Sequence, residues 1–401
     1  MKKLIDYSEI RNLLTIRYNP EEKPMEKNIP RIFPNNSIKT NKKILEKLLI
    51  ESIKNQCENH KKISVSLSGG IDSSLVLGLL RKTFPEKKIF GICGIFEDTF
   101  NESDVAQKNC DKFNADFQTI KMGSIFENMP ELISITKKPK WNTYQHLIAK
   151  NAKKFSKILL TGDGADEIFG GYVFRYSKFL NLSKDSDTWQ TKSRNYLECH
   201  NRDWVADQEK IFNKKCNFAW SKILNYFKPY FSTKIEPLNQ VFLADLNGKL
   251  LFDFIPTGVS IGNYHDLKIN SIFLNKQIIQ YGLSLPINKK FNPQSNLGKI
   301  PLREICKDNK IFHIPNKKGF SPSLLFDWKK NGKEICQKFI FSQNAEIYKK
   351  NIINYDWVMS SLEKIENDGD IRYLHRLISI LALEIWIKIF ITNELKSNKK
   401  L

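Results

Sequence analysis

The sequence predicts an α/β protein in which a parallel sheet, covered by helices, is followed by a mostly helical C-terminal region. Strand-like apolar runs recur at 63–67, 88–96, 117–122 and 157–161, separated by segments of helix length. This alternation is typical of a parallel sheet with helices on both faces. From about residue 175 onward the pattern is helical. We therefore divide the chain into an irregular N-terminal lead-in (1–40), an α/β domain (41–178) and a helical C-terminal part (179–401).

The flanking elements follow from local patterns. Prolines recur between residues 20 and 34, which favours an irregular lead-in. Residues 42–56 carry apolar side chains at helical spacing. The most hydrophobic stretch, 374–392, contains Glu384 and Lys388, so we interpret it as a core helix rather than a membrane span. We expect Glu384 and Trp386 to serve helix packing rather than chemistry.

Composition restricts the classes of partner. The formal charge is +21, but only ten of the 64 basic residues are arginines and the lysines are spread along the whole chain. A phosphate-reading surface favours arginine, so we expect no nucleic-acid partner. The seven cysteines contain no Cys-x-x-Cys pair, and no signal-peptide pattern follows Met1, which together favour a reduced, cytoplasmic protein without a membrane anchor.

Two glycine loops carry the strongest functional signal. Residues 68–74 read Ser-Gly-Gly-Ile-Asp-Ser-Ser, and residues 161–172 read Thr-Gly-Asp-Gly-Ala-Asp-Glu-Ile-Phe-Gly-Gly-Tyr. Each follows a strand-like run, and a glycine loop between strand and helix lets backbone N–H groups approach phosphate oxygens. Either loop alone could be an ordinary turn. Together they indicate a site that cleaves ATP to AMP and pyrophosphate, and no Walker A lysine follows the glycines.

Further motifs extend the pattern to the C-terminus: Glu102-Ser-Asp-Val-Ala106, Lys299-x-x-Leu302-Arg303, Lys317-Lys-Gly-Phe320 followed by Trp328, and Leu377-x4-Ala-Leu-Glu384-Ile-Trp386. With the two loops, they resemble the synthetase domain of glutamine-dependent asparagine synthetases, a family that includes β-lactam synthetases and lasso-peptide cyclases. The resemblance runs from about residue 40 to the C-terminus. It implies an adenine-nucleotide alpha hydrolase-like (PP-loop/HUP) α/β domain.

The resemblance also implies roles for particular residues, with ATP and Mg²⁺ as cofactors. Such enzymes join a carboxylate to AMP and let an amine attack the acyl-adenylate. Asp72 and Asp166 would be the metal ligands, Lys317 would stabilise charge on the phosphates, and Asp163 would assist the attack of the amine. The residues expected to hold pyrophosphate are Ser68, Gly69, Gly70, Ser73 and Ser74, and Asp72 is counted with them as cofactor-binding through the metal. Those expected to hold adenosine through the main chain are Leu67, Gly94, Thr161 and Gly162.

Two features depart from the family pattern. Residue 2 is Lys, where the family's glutaminase domain has its nucleophilic Cys, and only 67 residues precede Ser68. Nitrogen is therefore expected from free ammonia, from a separate glutaminase subunit or from an amine of the substrate. The second departure lies in the family segment Asp-Arg-x-Ser-Met…Glu-x-Arg-x-Pro-Phe-Leu-Asp. Its aligned positions here hold 259–263 (Val-Ser-Ile-Gly-Asn), Lys268, Asn270, Ile272 and Asn275.

Because an ammonium and an amide cannot preserve the ion pairs of a carboxylate and a guanidinium, this second departure leaves two interpretations open: a changed substrate, or drift of a structural ion pair. Our interpretation is an ATP-dependent amide synthetase, with aspartate to asparagine as the default reaction. A cyclase or tailoring ligase of a biosynthetic cluster is the alternative within the same chemistry. A tRNA-modifying enzyme with the same loop and a nucleotide-binding pseudoenzyme are the alternatives outside it.

Overall fold

The computed structural model describes residues 4–27, 29–33, 41–97, 102–315 and 322–401. Its centre is a five-stranded, all-parallel sheet built from β1 (Lys62–Ser66), β2 (Lys88–Ile95), β3 (Asp116–Lys121), β4 (Ile158–Thr161) and β5 (Lys268–Ser271). The strand order is β3-β2-β1-β4-β5. A short antiparallel pair, β6 (Phe291–Asn292) and β7 (Leu297–Gly298), lies apart from this sheet. The first four strands confirm the α/β prediction.

Helices surround the sheet and form the rest of the described chain. Their bounds are α1 Tyr7–Ile16, α2 Lys42–Cys57, α3 Ile71–Thr83, α4 Ser103–Lys112, α5 Met129–Thr136, α6 His146–Ala152, α7 Ala165–Phe169, α8 Val173–Leu182, α9 Trp189–Glu198, α10 Trp220–Leu224, α11 Lys228–Phe231, α12 Pro237–Asp245, α13 Ile255–His265, α14 Lys276–Ser284, α15 Ile287–Lys290, α16 Ile300–Asp308, α17 Leu324–Asp327, α18 Lys333–Phe339, α19 Glu346–Lys349, α20 Tyr355–Asp368 and α21 Ile371–Phe390. Short 3₁₀ segments occur at Gln208–Ile211, Lys214–Cys216 and Ile272–Leu274, and π-helical segments at Leu246–Phe254 and Trp328–Gly332.

The central strand β1 is buried on both faces, as its neighbours require. Ile63, Ser64 and Val65 are fully buried, and Ser64 meets its hydrogen-bonding need through the Ser156 hydroxyl at 2.8 Å. Helices cover both faces of such a strand, so its sequence is a nearly continuous run of apolar residues. The helix α3 packs against both β1 and β4. This packing holds the loops that follow these two strands in a fixed relation.

The prediction of an irregular lead-in is wrong for residues 7–16, which form α1. The Asp6 carboxylate caps this helix by accepting from the backbone N–H groups of Ser8 and Glu9 at 2.8 and 3.1 Å. Its buried face includes Ile10 and Leu14, which pack in one cluster with residues of α21. The prolines that suggested irregularity all lie beyond this helix.

The C-terminal part is mostly helical, as predicted, but it also contributes β5, which completes the central sheet. The strand pairs with β4 in parallel, with Lys268 opposite Ile158 and Asn270 opposite Leu160. Only four residues long and alternating Lys-Ile-Asn-Ser, it lacks the apolar run that identifies a buried strand. The two parts of the chain therefore share one sheet.

The closing helix α21 belongs to the core, as the sequence predicted. The Glu384 carboxylate is fully buried and accepts from the backbone N–H groups of Glu346 and Ile347 at 3.1 and 2.9 Å. It thereby satisfies the free donors at the start of α19. The Trp386 indole donates to the carbonyl of Lys137 at 2.9 Å. Within the described residues, no helix combines the length and apolar character needed to cross a membrane.

Candidate functional site

The site lies where the strand order reverses direction. From β1 the chain proceeds outward through β2 to β3, whereas β4 and β5 extend the sheet on the other side of β1. In open parallel sheets, ligands bind beyond the carboxyl ends of the strands at such a switch point. The loop 67–70 leaves β1 and leads into α3, and the loop 162–164 leaves β4 and leads into α7. The two glycine loops found in the sequence therefore face one crevice.

The first loop is held in shape by its own serines. The Ser73 hydroxyl accepts from the Ser68 backbone N–H at 3.0 Å and lies 3.0 Å from the Ser68 hydroxyl, which in turn accepts from the Gly70 N–H at 3.3 Å. A Cβ at Gly69 would lie 2.5 Å from the end of the Ile314 side chain and 3.2 Å from the Glu102 carbonyl oxygen, so a larger residue there would require Ile314 to move. These contacts fix the shape of the loop.

The second loop touches the first directly. A Cβ built on Gly162 would lie 2.8 Å from the Cβ of Asp72. Gly164 has φ +88° and begins α7, a conformation that glycine adopts without strain. The Thr161 hydroxyl donates to the Asp163 carboxylate at 2.8 Å, and the Ser271 hydroxyl donates to the Asp163 carbonyl at 2.6 Å.

Asp163 is the exposed acid of the second loop. Its side chain is accessible to solvent but lies within the crevice, where desolvation, together with the nearby charge of Asp166, raises its pKa against the effect of the Thr161 hydrogen bond. A carboxyl group with a raised pKa can exchange protons with a bound reactant more readily than an ordinary surface aspartate.

Asp72 and Asp166 converge on one cation, the ammonium of Lys299. Its Nζ lies 2.5 Å from Oδ2 of Asp72 and 2.7 Å from Oδ1 of Asp166. The two carboxylates raise the pKa of Lys299 above its ordinary value, against the effect of desolvation. Lys299 has φ +56°, which is uncommon for a residue with a side chain and costs conformational energy. Its backbone N–H donates to the Phe169 carbonyl at 3.0 Å.

Gly171 leaves the room that this cluster occupies. A Cβ there would lie 1.7 Å from Oδ1 of Asp166 and 2.3 Å from Cε of Lys299. The glycine pair of the second motif therefore has a steric purpose: it lets the chain pass directly behind the carboxylate and the ammonium.

The donor set fits a magnesium ion. Two carboxylate oxygens from different loops already point at a common position that carries positive charge. Among the described residues, no group of three or more His, Cys, Asp or Glu side chains gathers around a metal position. Mg²⁺ is commonly bound in proteins by one or two carboxylates, with water and substrate phosphates completing its octahedron. The pair Asp72 and Asp166 matches that requirement.

Behind the second loop lies a buried polar network. Glu167 is buried, and the Tyr172 hydroxyl donates to its carboxylate at 2.6 Å. Desolvation, with a contribution from Asp166, raises the pKa of Glu167 to about 7. Further back, Arg175 contacts Asp245 at 2.6 Å. These contacts fix α7 and α8 behind the crevice.

The remaining predicted residues divide into those near the crevice and one outside the described residues. Leu67 is buried and its backbone N–H donates to the Ile92 carbonyl at 2.9 Å. Gly94 lies one residue before the carboxyl end of the neighbouring strand β2. Ser74 is buried in the first turn of α3. Lys317 lies outside the described residues.

The chain leading to Lys317 is nevertheless anchored on the first loop. The Ile314 backbone N–H donates to the Gly69 carbonyl at 2.8 Å. Arg303 holds the same segment, donating to the Gly298 carbonyl at 2.9 Å and to the Pro315 carbonyl at 3.0 Å. In the sequence, Lys299 and Arg303 belonged to a family motif without a stated role. The structure places Lys299 in the site. Arg303 instead holds the segment before Lys317 through its two backbone hydrogen bonds.

The two substituted positions of the altered segment differ in placement. Lys268 is exposed and Asn270 is half-buried, two residues apart on β5. Ser271, which follows Asn270, contacts Asp163. The Lys268 side chain lies in solvent, so its ammonium is not a buried charge.

Comparison with known proteins agrees with the motifs. The family model described as asparagine synthase matches residues 44–388. Asparagine synthetase (glutamine-hydrolyzing) 1 of Bacillus subtilis (strain 168) is 25% identical over 340 residues, which cover 74% of this chain and 51% of the relative. Putative asparagine synthetase (glutamine-hydrolyzing) 2 of Methanocaldococcus jannaschii is 29% identical over 140 residues, covering 33% of this chain and 27% of the relative. This chain thus spans about half the length of the Bacillus relative.

Among solved structures, an NH3-dependent NAD synthetase from Campylobacter jejuni subsp. jejuni NCTC 11168 is 15% identical. The match covers 49% of this chain and 99% of that one, with a TM-score of 0.27. That similarity is too low to support an inference about function.

Proposed function

The chain belongs to the asparagine synthase family, and we propose that it is an ATP-dependent amide synthetase that adenylates a carboxylate and releases pyrophosphate. The observation that supports this most directly is the convergence of Asp72 and Asp166, from two glycine loops in contact, on a single cation position. A site for cleaving the α–β bond of ATP needs phosphate-binding backbone next to charge-neutralising groups. Both are present in one crevice.

In the proposed reaction, the two loops bind different parts of ATP. The backbone N–H groups and hydroxyls of 68–74 bind the β- and γ-phosphates, and the main chain at 67, 94 and 161–162 binds adenosine. Mg²⁺ held by Asp72 and Asp166 would neutralise charge on the departing pyrophosphate. The substrate carboxylate attacks the α-phosphorus and the α–β bond breaks, which leaves the acyl-adenylate in the crevice.

Lys299 and Lys317 supply the proposed positive charge around the phosphates. Lys299 holds the two carboxylates in position before ATP binds, because its ammonium contacts both. Lys317 follows Ile314 by three residues, and Ile314 is hydrogen-bonded to Gly69. In the sequence, this lysine thus closely follows a residue that is bound to the first loop. Its proposed role is to stabilise charge on the phosphates during adenylation and amide formation.

In the second half-reaction an amine attacks the acyl carbon, and AMP leaves. Asp163, with its raised pKa and open surface, is the proposed group that assists the amine. Free ammonia, a separate glutaminase subunit and an amine of the substrate remain candidate nitrogen sources. All seven cysteines are buried and none forms a disulfide, which fits the cytoplasm as the proposed location.

The activity is tested by identifying the nucleotide products. Purified protein with Mg²⁺, ATP and a panel of amino and dicarboxylic acids is expected to form AMP and pyrophosphate, with isotope exchange between pyrophosphate and ATP for the correct carboxylate. Asp72→Asn should reduce this exchange by two or more orders of magnitude, because the site loses a charged ligand. Asp111→Asn, an exposed change on α4, is the matched control and should retain wild-type exchange. Formation of ADP and phosphate, or an active Asp72→Asn variant, would contradict the proposal.

The carboxylate is proposed to differ from aspartate, and the observation that favours this is the composition of β5. Asn270 replaces a family arginine on the strand whose end contacts Asp163. A carboxylate substrate loses a bidentate partner when an amide replaces a guanidinium. We expect ordinary ATP binding with weak aspartate-dependent turnover. Asn270→Arg should increase that turnover, whereas Lys268→Glu, an exposed change on the same strand, should not. Robust asparagine formation by the unmodified protein would refute the substrate change and leave the aspartate reaction as the function.

A further inference from the structure

A second polar cavity lies in the helical part of the chain, behind the second glycine loop. Its walls come from the end of α1, from α9, and from the segments around 203, 249 and 376. The cavity is small, with a volume of about 30 Å³. Three cationic side chains line it: Arg17, Lys249 and Arg376. Nothing in the proposed amide synthesis uses them.

The charges around this cavity do not balance, and they are half-buried at Arg17 and Lys249 and buried at Lys140 and Arg376. The cations are Arg17, Lys140, Lys249 and Arg376, and the acids in contact with them are Asp203 and Asp253. Arg17 lies 3.1 Å from Asp203 and 3.8 Å from Asp253, and Lys140 is paired with Asp253. The neighbouring pair of Arg175 and Asp245 is neutral as a whole.

The two histidines of this region do not restore the balance. Desolvation and the surrounding arginines lower the pKa values of His200 and His375, so both rings are neutral near pH 7. Two positive charges are therefore left without a carboxylate. A buried charge without a counter-charge is strongly unfavourable, and an anion in the cavity would remove that cost.

Two of the cationic side chains that line this cavity carry N–H donors without hydrogen-bond acceptors among the described residues. Arg376 is 3% exposed, and its Nε–H has no hydrogen-bond acceptor among the described residues. Lys249 has no hydrogen bond or ion pair within the described chain. Its ammonium approaches only the rings of Tyr172 and Phe254, at 5.8 and 5.0 Å. Arg376 and Lys249 could both donate to an oxyanion between them.

The mouth of the cavity also favours anions. Trp204 and Trp220 both line the cavity, with ring centroids 5.2 Å apart. The guanidinium of Arg194 lies 4.9 Å from the Trp220 ring. A surface groove that shares Trp204 is lined by Lys178, Glu198 and Arg372, but Lys178 is paired with Glu198 and Arg372 with Asp370. The positive charge that attracts anions to the opening is therefore that of Arg194.

We propose that this cavity is a binding site for a small oxyanion, a carboxylate or phosphate group, held by Lys249 and Arg376. Arg17 stays bound to Asp203 and contributes through its charge. The site is separate from the glycine-loop crevice, and the proposal does not depend on the amide synthetase activity.

The test is binding of two probe anions to the full chain at constant ionic strength. Inorganic phosphate and malonate are titrated separately by calorimetry, which distinguishes a phosphate site from a carboxylate site. Saturable binding of at least one is expected. Lys249→Met, which keeps the length of the side chain but removes its charge, should weaken that binding at least tenfold, and Lys249→Arg should retain most of it. Lys210→Met, an exposed change two residues from the cavity residue Gln208, is the control and should bind as the wild type does.

Lys299→Met separates the cavity from the glycine loops, because that variant alters only the crevice. Loss of anion binding in Lys299→Met but not in Lys249→Met would assign the anion to the loops and overturn the proposal, as would the absence of saturable binding by both probes. If Lys249→Met does not fold, anomalous diffraction from wild-type crystals soaked in selenate provides a second test of the site. Selenate between Lys249 and Arg376 supports the site, and selenate found only at 68–74 refutes it.

Discussion

Lys299→Met is expected to destabilise the protein in the absence of Mg²⁺ and to make it bind Mg²⁺ more tightly. The ammonium contacts Asp72 and Asp166 at 2.5 and 2.7 Å, and the three side chains are 10%, 18% and 33% exposed. Removing one member of a buried ion pair costs about 3–5 kcal/mol. Because Asp166 is a third exposed, screening by solvent reduces this, and we expect a loss of about 2–3 kcal/mol in the free energy of unfolding.

Mg²⁺ competes with the ammonium in the wild-type protein but not in the variant. Denaturant unfolding measured in EDTA and in excess Mg²⁺ should therefore show a larger stabilisation by the metal in Lys299→Met. Combining this change with Asp72→Asn completes a double-mutant cycle, whose coupling energy should be about 1–3 kcal/mol. Lys307→Met, an exposed change on α16, is the control, and its stability should differ from that of the wild type by less than about 0.5 kcal/mol.

Equal stability of Lys299→Met and the wild-type protein in EDTA would refute the reasoning, as would equal stabilisation of both by Mg²⁺. Either result would mean that the ammonium and the carboxylates do not share one site in solution. The same variant should also lose AMP formation, since the carboxylates would no longer be held in position for ATP.

Three further predictions concern packing, pH and nitrogen. Gly171→Ala should abolish AMP formation, because its methyl group would overlap Asp166 and Lys299; unchanged pyrophosphate exchange would contradict this. Desolvation lowers the pKa of the fully buried Lys290 to about 7, so the unfolded chain binds the proton more tightly and the free energy of unfolding should rise between pH 7 and 10, by up to about 1.4 kcal/mol per pH unit. Lys290→Met should remove that slope, and an unchanged slope would refute the assignment. This chain should not hydrolyse glutamine, because all seven cysteines are buried and desolvation raises the pKa of six of their thiols. Ammonia release from glutamine, followed by an enzyme-coupled assay, would show otherwise.

The part of the site that the sequence predicted is the part that local sequence encodes. A strand, a glycine loop and a helix start within about ten residues of one another, so the runs 63–67 and 157–161 located both loops. The sequence also indicated that the two loops lie close together, because parallel strands end at one edge of the sheet. The structure adds the contact itself, with Gly162 lying against Asp72.

Contacts between distant segments could not be predicted in this way. Lys299 lies 227 residues from Asp72 and is one of 54 lysines in the chain, so nothing in its surroundings marks it as a partner of two aspartates. Its positive φ is also not encoded by a glycine. The cationic cavity could not be predicted for the same reason, because Arg17, Lys249 and Arg376 come from three separate parts of the sequence.

The strand β5 explains why the ATP side and the acceptor side of the crevice can change independently. The proposed ATP side is built by loops that follow β1 and β4, which lie in the interior of the sheet, and a Cβ added at Gly69, Gly162 or Gly164 would lie within 3 Å of a neighbouring side chain. The acceptor side is bounded by an edge strand of four residues, with Lys268 in solvent and Asn270 half-buried. An edge position tolerates a change of side chain because fewer neighbours must adjust. Two of the altered positions, Lys268 and Asn270, fall on this edge strand, whose last residue contacts Asp163, and the others, 259–263, Ile272 and Asn275, flank it in the sequence.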